Sequence, residues 1–83
     1  MPTIATFKGI KIDMNVDEHP PPHFHARYAE FVAESRLVDF EVREGSLPLP
    51  QLRLVREWAS SRAEALQAEW IRVEQGHNPR KIP

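Results

Sequence analysis

Three of the four histidines in this 83-residue chain lie within seven residues of one another. His19 precedes three consecutive prolines, and His23 and His25 follow them. Residues i and i+2 of a β-strand point to the same side, roughly 6.5–7 Å apart. Two imidazoles at this spacing can therefore converge on one ion or substrate. The block predicts a site whose side chains bind metals and exchange protons near neutral pH.

Metal binding is one hypothesis for this block. His23, His25 and Glu30 have the spacing H-x-H-x4-E, which resembles the first metal motif of cupins, and a divalent ion such as zinc suits these ligands. A cupin needs a second motif, and the chain is too short for a complete cupin barrel. Glu30 would also face away on a continuous strand, so a bulge at Ala29 must turn it back. A hydrogen-bonded histidine pair is the preferred interpretation, and no cofactor is expected.

Acid–base or phosphate chemistry is the second hypothesis. His23, His25 and Arg27 share one strand face, and two imidazoles with a guanidinium form a catalytic set for a small ribonuclease or another phosphate-binding enzyme. A polar, solvated strand face explains the same residues more simply. The sequence leaves open whether the protein is an enzyme.

Composition narrows the class of protein. The chain has no cysteine and a formal net charge of -1, so it predicts neither a thiolate site nor long-range attraction to nucleic acid. The absence of a long apolar run and of a signal pattern predicts a cytoplasmic protein with no membrane partner. P-loop, G-x-S-x-G and Rossmann glycine motifs are also absent.

The first half of the chain has the alternation of β-strands. In the third strand, His23, His25 and Arg27 share one face, opposite Phe24 and Tyr28. Asp17–Pro22 is predicted to be a loop, because its prolines lack amide donors. The predicted strands are Thr3–Phe7, Ile10–Val16, His23–Tyr28, Phe31–Ala33 and Val38–Arg43.

After Pro48 the apolar period changes to that of a helix. Pro48 and Pro50 fit a first turn, and Gly76 fits a C-cap. The pattern allows one helix from about 49 to 75, or an antiparallel pair broken at Ser60–Ser61, because serines compete for backbone hydrogen bonds. The apolar stripe consists of Leu52, Val55, Ala59, Ala63, Leu66, Trp70 and Val73.

These elements predict one α+β domain over residues 1–83. A four- or five-stranded, mostly antiparallel sheet over about 3–43 is covered on one face by a C-terminal helix or helix pair over about 48–75. Trp70 is assigned to the core, and Trp58 to the core or to a protein interface. The short basic tail, 76–83, is typical of a disordered chain end. The alternative is that it docks on the sheet edge.

The order of motifs resembles the DUF4160 family of small uncharacterised bacterial proteins over nearly the whole chain. The resemblance rests on the start Met-Pro-Thr-Ile, on Phe7–Ile12, on Glu18–Tyr28, on Leu52–Ala59 and on the tail Pro-Arg-Lys-Ile-Pro. Glu18 stands where the family usually has aspartate. Ala29 stands where a glycine often follows the tyrosine, which weakens the return of Glu30 toward the histidines.

The resemblance implies an interaction module of a toxin–antitoxin-like gene pair, since family members look like parts of two-gene modules beside a DUF2442-type neighbour. A protein partner would then bind the His/Arg strand face or an open sheet edge. Nucleic acid is a less favoured partner. The alternative is a small histidine-dependent nuclease or metal-dependent hydrolase that uses His19, His23 and His25. Candidate binding residues are His19, Pro21, Pro22, Phe24, Tyr28 and Trp58.

Overall fold

Five strands are followed by two helices in the computed structural model, which describes residues 2–16 and 18–83. Asp17, the first residue of the predicted loop, and Met1, the first residue of the family-like start, lie outside the described residues. The predicted α+β architecture is confirmed. The elements are β1 (Thr3–Phe7), β2 (Ile10–Asp13), β3 (His23–Tyr28), β4 (Phe31–Arg36), β5 (Val42–Gly45), α1 (Leu49–Ser60) and α2 (Ala63–Glu74).

The sheet is an antiparallel meander in the order β1-β2-β3-β4-β5. Lys8 and Gly9 both have positive φ, as a two-residue hairpin turn requires. The pairing brings one residue from each strand into a line across the sheet, which we call the polar row. The polar row consists of Thr3, Asp13, His25, Glu34 and Glu44.

The core lies between the opposite sheet face and the two helices. Alternation along β2 and β3 places Ile10, Ile12, Phe24 and Ala26 on this face, and all four are buried. The helices contribute buried side chains to the same cluster, so they cover the apolar face of the sheet. Their contribution consists of Val55, Trp58, Ala59, Leu66, Trp70 and Val73.

The helical half is broken into two helices, so the alternative of a break near Ser60–Ser61 is confirmed. The Ser60 hydroxyl donates to the Arg56 carbonyl at 2.7 Å, and the Ser61 hydroxyl donates to the Trp58 carbonyl at 3.0 Å. Each hydroxyl binds a carbonyl of the preceding helical turn, and such back-bonding favours a bend or an end of the helix there. Neither described helix is long and apolar enough to cross a membrane.

The predicted fifth strand is displaced along the chain. Val38–Arg43 alternates in sequence, but the strand occupies Val42–Gly45 and a turn precedes it. The Asp39 carboxylate accepts the Glu41 amide at 3.0 Å, and Phe40 has a φ of 57°. Aspartate stabilises turns through such bonds, so turn chemistry outweighed the period-two pattern here.

The tail is docked. Ile82 is buried, and its amide donates to the Ile4 carbonyl of β1 at 2.8 Å. The buried Glu69 carboxylate on α2 accepts the Arg80 amide at 2.7 Å and also binds its guanidinium. Of the two alternatives for this segment, the structure has the docked one.

Candidate metal centre on the open face of the sheet

His23 and His25 lie on the face of β3 opposite Phe24 and Ala26, and His23, at the start of the strand, also contacts Trp70 of α2. They are two residues apart on β3, and their rings are perpendicular with centroids 5.3 Å apart. His23 is almost fully buried, with 3% of its surface exposed, and its ring lies 5.2 Å from that of Trp70. Strand alternation thus positions the pair, and packing against α2 holds one ring.

Glu18 supplies a carboxylate to this pair. One ligand atom from each of Glu18, His23 and His25 lies within 4.8 Å of the other two, and we call these three residues the histidine site. The Asn15 amide donates to Glu18 Oε1 at 2.8 Å. This hydrogen bond is the main cause that lowers the pKa of Glu18, against the opposing effect of burial, so its carboxylate is ionised at neutral pH.

A hydrogen bond defines the tautomer of neutral His23. His23 Nδ1 lies 2.8 Å from the Pro21 carbonyl oxygen, which can only accept, so Nδ1 carries the proton and Nε2 carries a lone pair. His25 Nε2 lies 3.4 Å from Glu34 Oε1, within ion-pair distance. Backbone carbonyls and carboxylates commonly orient metal-binding histidines in this way.

Unpartnered buried atoms concentrate at this site. Four buried side-chain nitrogen or oxygen atoms in the described part of the chain lack a hydrogen-bond partner. Two are His23 Nε2 and His25 Nδ1, the third is Oδ1 of the Asn15 that binds Glu18, and the fourth belongs to Trp70 beside His23. Buried polar groups are normally paired, so such a concentration requires an explanation.

The distances between these groups suit a shared ion better than direct bonds. Glu18 oxygens lie 3.5 Å from His23 Nε2 and 3.9 Å from His25 Nδ1, both long for hydrogen bonds. Ligand atoms about 2.0–2.1 Å from a tetrahedral ion are about 3.3–3.4 Å apart. The carboxylate lies close to this spacing from each imidazole, and the three ligand atoms, which are within 4.8 Å of one another, would draw together around one ion.

A second polar network lies beside the histidine site. The Asp13 carboxylate, which has no exposed surface, accepts the Thr3 hydroxyl at 2.9 Å and pairs with the Arg27 guanidinium. Glu34 Oε2 lies 3.4 Å from an Arg43 nitrogen. Arg27, predicted as a catalytic cation, is thus held two residues from His25 by a buried carboxylate.

Several predicted site residues lie elsewhere. Glu30 is exposed in the β3–β4 turn, so the spacing H-x-H-x4-E does not place it beside the histidines, and Glu18 is the carboxylate there. His19 and Pro21 are exposed, and Pro22 and Tyr28 are half-buried. Phe24 and Trp58 are buried in the core, and Trp58 stacks on Phe7, so neither ring offers a surface to a partner.

Glu18, Asn15 and Glu34 are the site residues that the sequence pattern missed. Glu18 and Asn15 precede the prolines, and nothing in the strand period shows that this segment folds back over β3. Glu34 could have been found, because a two-residue turn at Ala29–Glu30 places it opposite His25.

The family model described as a domain of unknown function, DUF4160, matches residues 9–71. The chain belongs to the DUF4160 family. This match spans the histidine site, all of β2 to β5 and most of the helical half, so the elements that build the site are those of the DUF4160 domain. No curated protein and no solved structure matches the chain.

Proposed function

We propose that this DUF4160 protein is a metal-dependent enzyme of hydrolytic type, with its metal at the histidine site. The observation that carries the proposal is the pair of buried imidazole nitrogens, His23 Nε2 and His25 Nδ1, that lie beside an ionised carboxylate without a hydrogen-bond partner. A divalent cation would bind all three groups at once.

Zinc is the ion that these ligands suit best. Magnesium and calcium prefer oxygen ligands, whereas imidazole nitrogens favour zinc and its neighbours in the transition series. Two histidines and one carboxylate form a three-ligand set, which leaves a fourth tetrahedral position for water. A zinc-bound water loses its proton near pH ~7, so the centre would supply hydroxide for attack on an ester, amide or phosphoester.

Metal binding is tested on protein purified without a polyhistidine tag. We expect one zinc per chain by mass spectrometry of the metal and by titration calorimetry. We expect that ion to be lost in His23→Ala and in His25→Ala. His77→Ala is the matched control, because His77 is exposed in the tail and should leave the stoichiometry unchanged. Equal zinc binding by wild type and both site variants would contradict a metal at the histidine site.

Hydrolysis is tested next, with RNA and with small phosphoester and carboxyl-ester substrates. Activity that is removed by a chelator and restored by zinc supports the metal-dependent mechanism. RNA cleavage that survives chelation but not His23→Ala points instead to acid–base catalysis by the imidazoles. Stoichiometric zinc with no hydrolysis of any substrate would reduce the proposal to metal binding alone.

A second candidate is the interaction module of a toxin–antitoxin-like gene pair. The favouring observation is the sheet itself, in which β1 and β5 each pair with a strand on one side only. A DUF2442-type neighbour is the partner that the resemblance implies. Co-expression with that neighbour, followed by purification of a stoichiometric complex and a growth assay with each chain alone, tests this role. Separate elution of the two chains contradicts it.

A further inference from the structure

A groove runs along the outer edge of β1. It has a volume of about 690 Å³. Ile4 and the tail residue Ile82 line it but are almost fully buried, so Ala5 and Pro83 supply its more exposed apolar surface, and Thr6 lies along the strand edge. The groove therefore combines a concave apolar surface with the backbone of an edge strand.

The backbone of β1 offers hydrogen bonds to a further strand. Phe7 and Ile10 are the paired residues that flank the two-residue turn, so the amides of Phe7 and Ala5 face β2. Because the direction alternates along a strand, the amide of Thr6 faces away from the sheet. The Ile82 amide already donates to the Ile4 carbonyl, which faces the same outer side. Within residues 2–16 and 18–83 this is the one backbone hydrogen bond between the tail and β1. The row of backbone hydrogen bonds on the outer side of β1, which we call the outer ladder, therefore begins at Ile4 and is open at Thr6.

The charge of the groove selects among partners. Lys11 and Lys81 line it, both are exposed, and the lining residues include no acidic side chain. Neither lysine forms an ion pair with a described residue. Carboxylates on a bound segment would supply the missing partners.

We propose that this groove binds an extended segment of a protein partner, in which apolar side chains alternate with acidic ones. The segment adds to β1 at Thr6 and continues the outer ladder that Ile82 begins. Its apolar side chains enter the groove, and its carboxylates meet Lys11 and Lys81. This inference rests on the second candidate function and does not involve the histidine site.

The test uses a displayed library of random decapeptides, selected against the whole chain. We expect enriched peptides to alternate apolar and acidic residues. The double variant Lys11→Glu/Lys81→Glu should bind them about tenfold more weakly, the scale of two surface ion pairs. Lys8→Glu is the matched control, because Lys8 is an exposed lysine outside the groove lining.

Two further measurements locate the peptide. Thr6→Pro removes the outward amide and should weaken binding roughly three- to tenfold, the scale of one backbone hydrogen bond. Should that variant fail to fold, amide chemical-shift mapping of wild type gives the same information, with the largest change expected at Thr6. Three outcomes would each contradict binding in the groove. They are equal binding by the double variant and Lys8→Glu, chemical-shift changes centred on β5 or the helices, and the absence of any enriched peptide. A neighbour complex that survives the groove variants would contradict binding in the groove too, while leaving the partner-binding role intact.

Discussion

His23 Nδ1 lies 2.8 Å from the carbonyl oxygen of Pro21, two residues earlier in the chain. This local bond fixes the imidazole proton on the nitrogen that faces the proline segment. The other nitrogen, Nε2, then carries its lone pair into the cluster with Glu18 and His25. The proline segment thus orients the His23 imidazole through its backbone.

Zinc should stabilise the folded chain through His23. Zinc at about 100 times its Kd adds about 2.7 kcal/mol, which raises the Tm of a domain of this size by roughly 10–20 °C. His23→Ala should remove this increase, and His77→Ala should retain it. Differential scanning calorimetry with and without zinc makes the comparison. An equal increase in His23→Ala would place the ion elsewhere.

Glu34 should affect zinc affinity without being a ligand. Its Oε1 lies 3.4 Å from His25 Nε2, so Glu34→Gln should weaken the electrostatic orientation and the basicity of that imidazole. We expect a loss of zinc affinity of about 10- to 100-fold with one site retained. Glu44→Gln, the next member of the polar row, is the control and should leave the affinity unchanged. Calorimetric titration of zinc measures both affinities, and identical affinities for Glu34→Gln and Glu44→Gln would contradict the role of Glu34.

Gly45 should be intolerant of any side chain. It has a φ of +77°, and a Cβ atom there would lie 2.0 Å from the Val32 carbonyl oxygen. Gly76 has a similar φ of +82° with no atom within 4 Å of the added carbon, so Gly76→Ala tests backbone strain alone. Urea unfolding should show a cost of about 1–2 kcal/mol for Gly76→Ala and a further 1–3 kcal/mol, approximately, for Gly45→Ala. Equal costs would mean that the pairing of β5 with β4 around Gly45 shifts to accept the methyl group.

Asp39 should make the stability of the β4–β5 turn depend on pH. The Glu41 amide donates to its carboxylate and Arg36 pairs with it, which lowers the pKa of Asp39. A lowered pKa in the folded state stabilises the fold above the ordinary Asp pKa of about 3.9, and that contribution is lost as the pH falls toward the folded value. The difference in unfolding free energy between wild type and Asp39→Ala should therefore be larger at about pH 6 than at about pH 2.5. A difference that does not change with pH would contradict this role.

Local periodicity was sufficient to predict most of the fold. Alternation located β1 and β3, and the change of period located the helices, because each of these elements buries one face against the core. The fifth strand was displaced because Asp39 forms a turn within an alternating run. The break between the helices depended on two serine hydroxyls, which sequence reasoning could name but not decide.

The histidine site was only half predictable. His23 and His25 follow from strand geometry, since residues two apart share a face. Glu18 comes from a loop that returns over the strand, and its position depends on the Asn15 hydrogen bond and on packing that has no periodic signal. For the tail, the sequence offered docking on the sheet edge only as an alternative to disorder, because docking requires a buried Glu69 and a space for Ile82 that only the assembled fold provides.

The polar row makes the length of each hairpin part of the chemistry. His25 and Glu34 face one another because two residues, Ala29 and Glu30, connect β3 to β4. One inserted residue in that turn would shift the pairing by one and exchange the two faces of β4 relative to β3. Glu34 would then point into the apolar layer. Insertions and deletions in these turns should therefore be as damaging to the site as substitution of the histidines, although they change no functional residue.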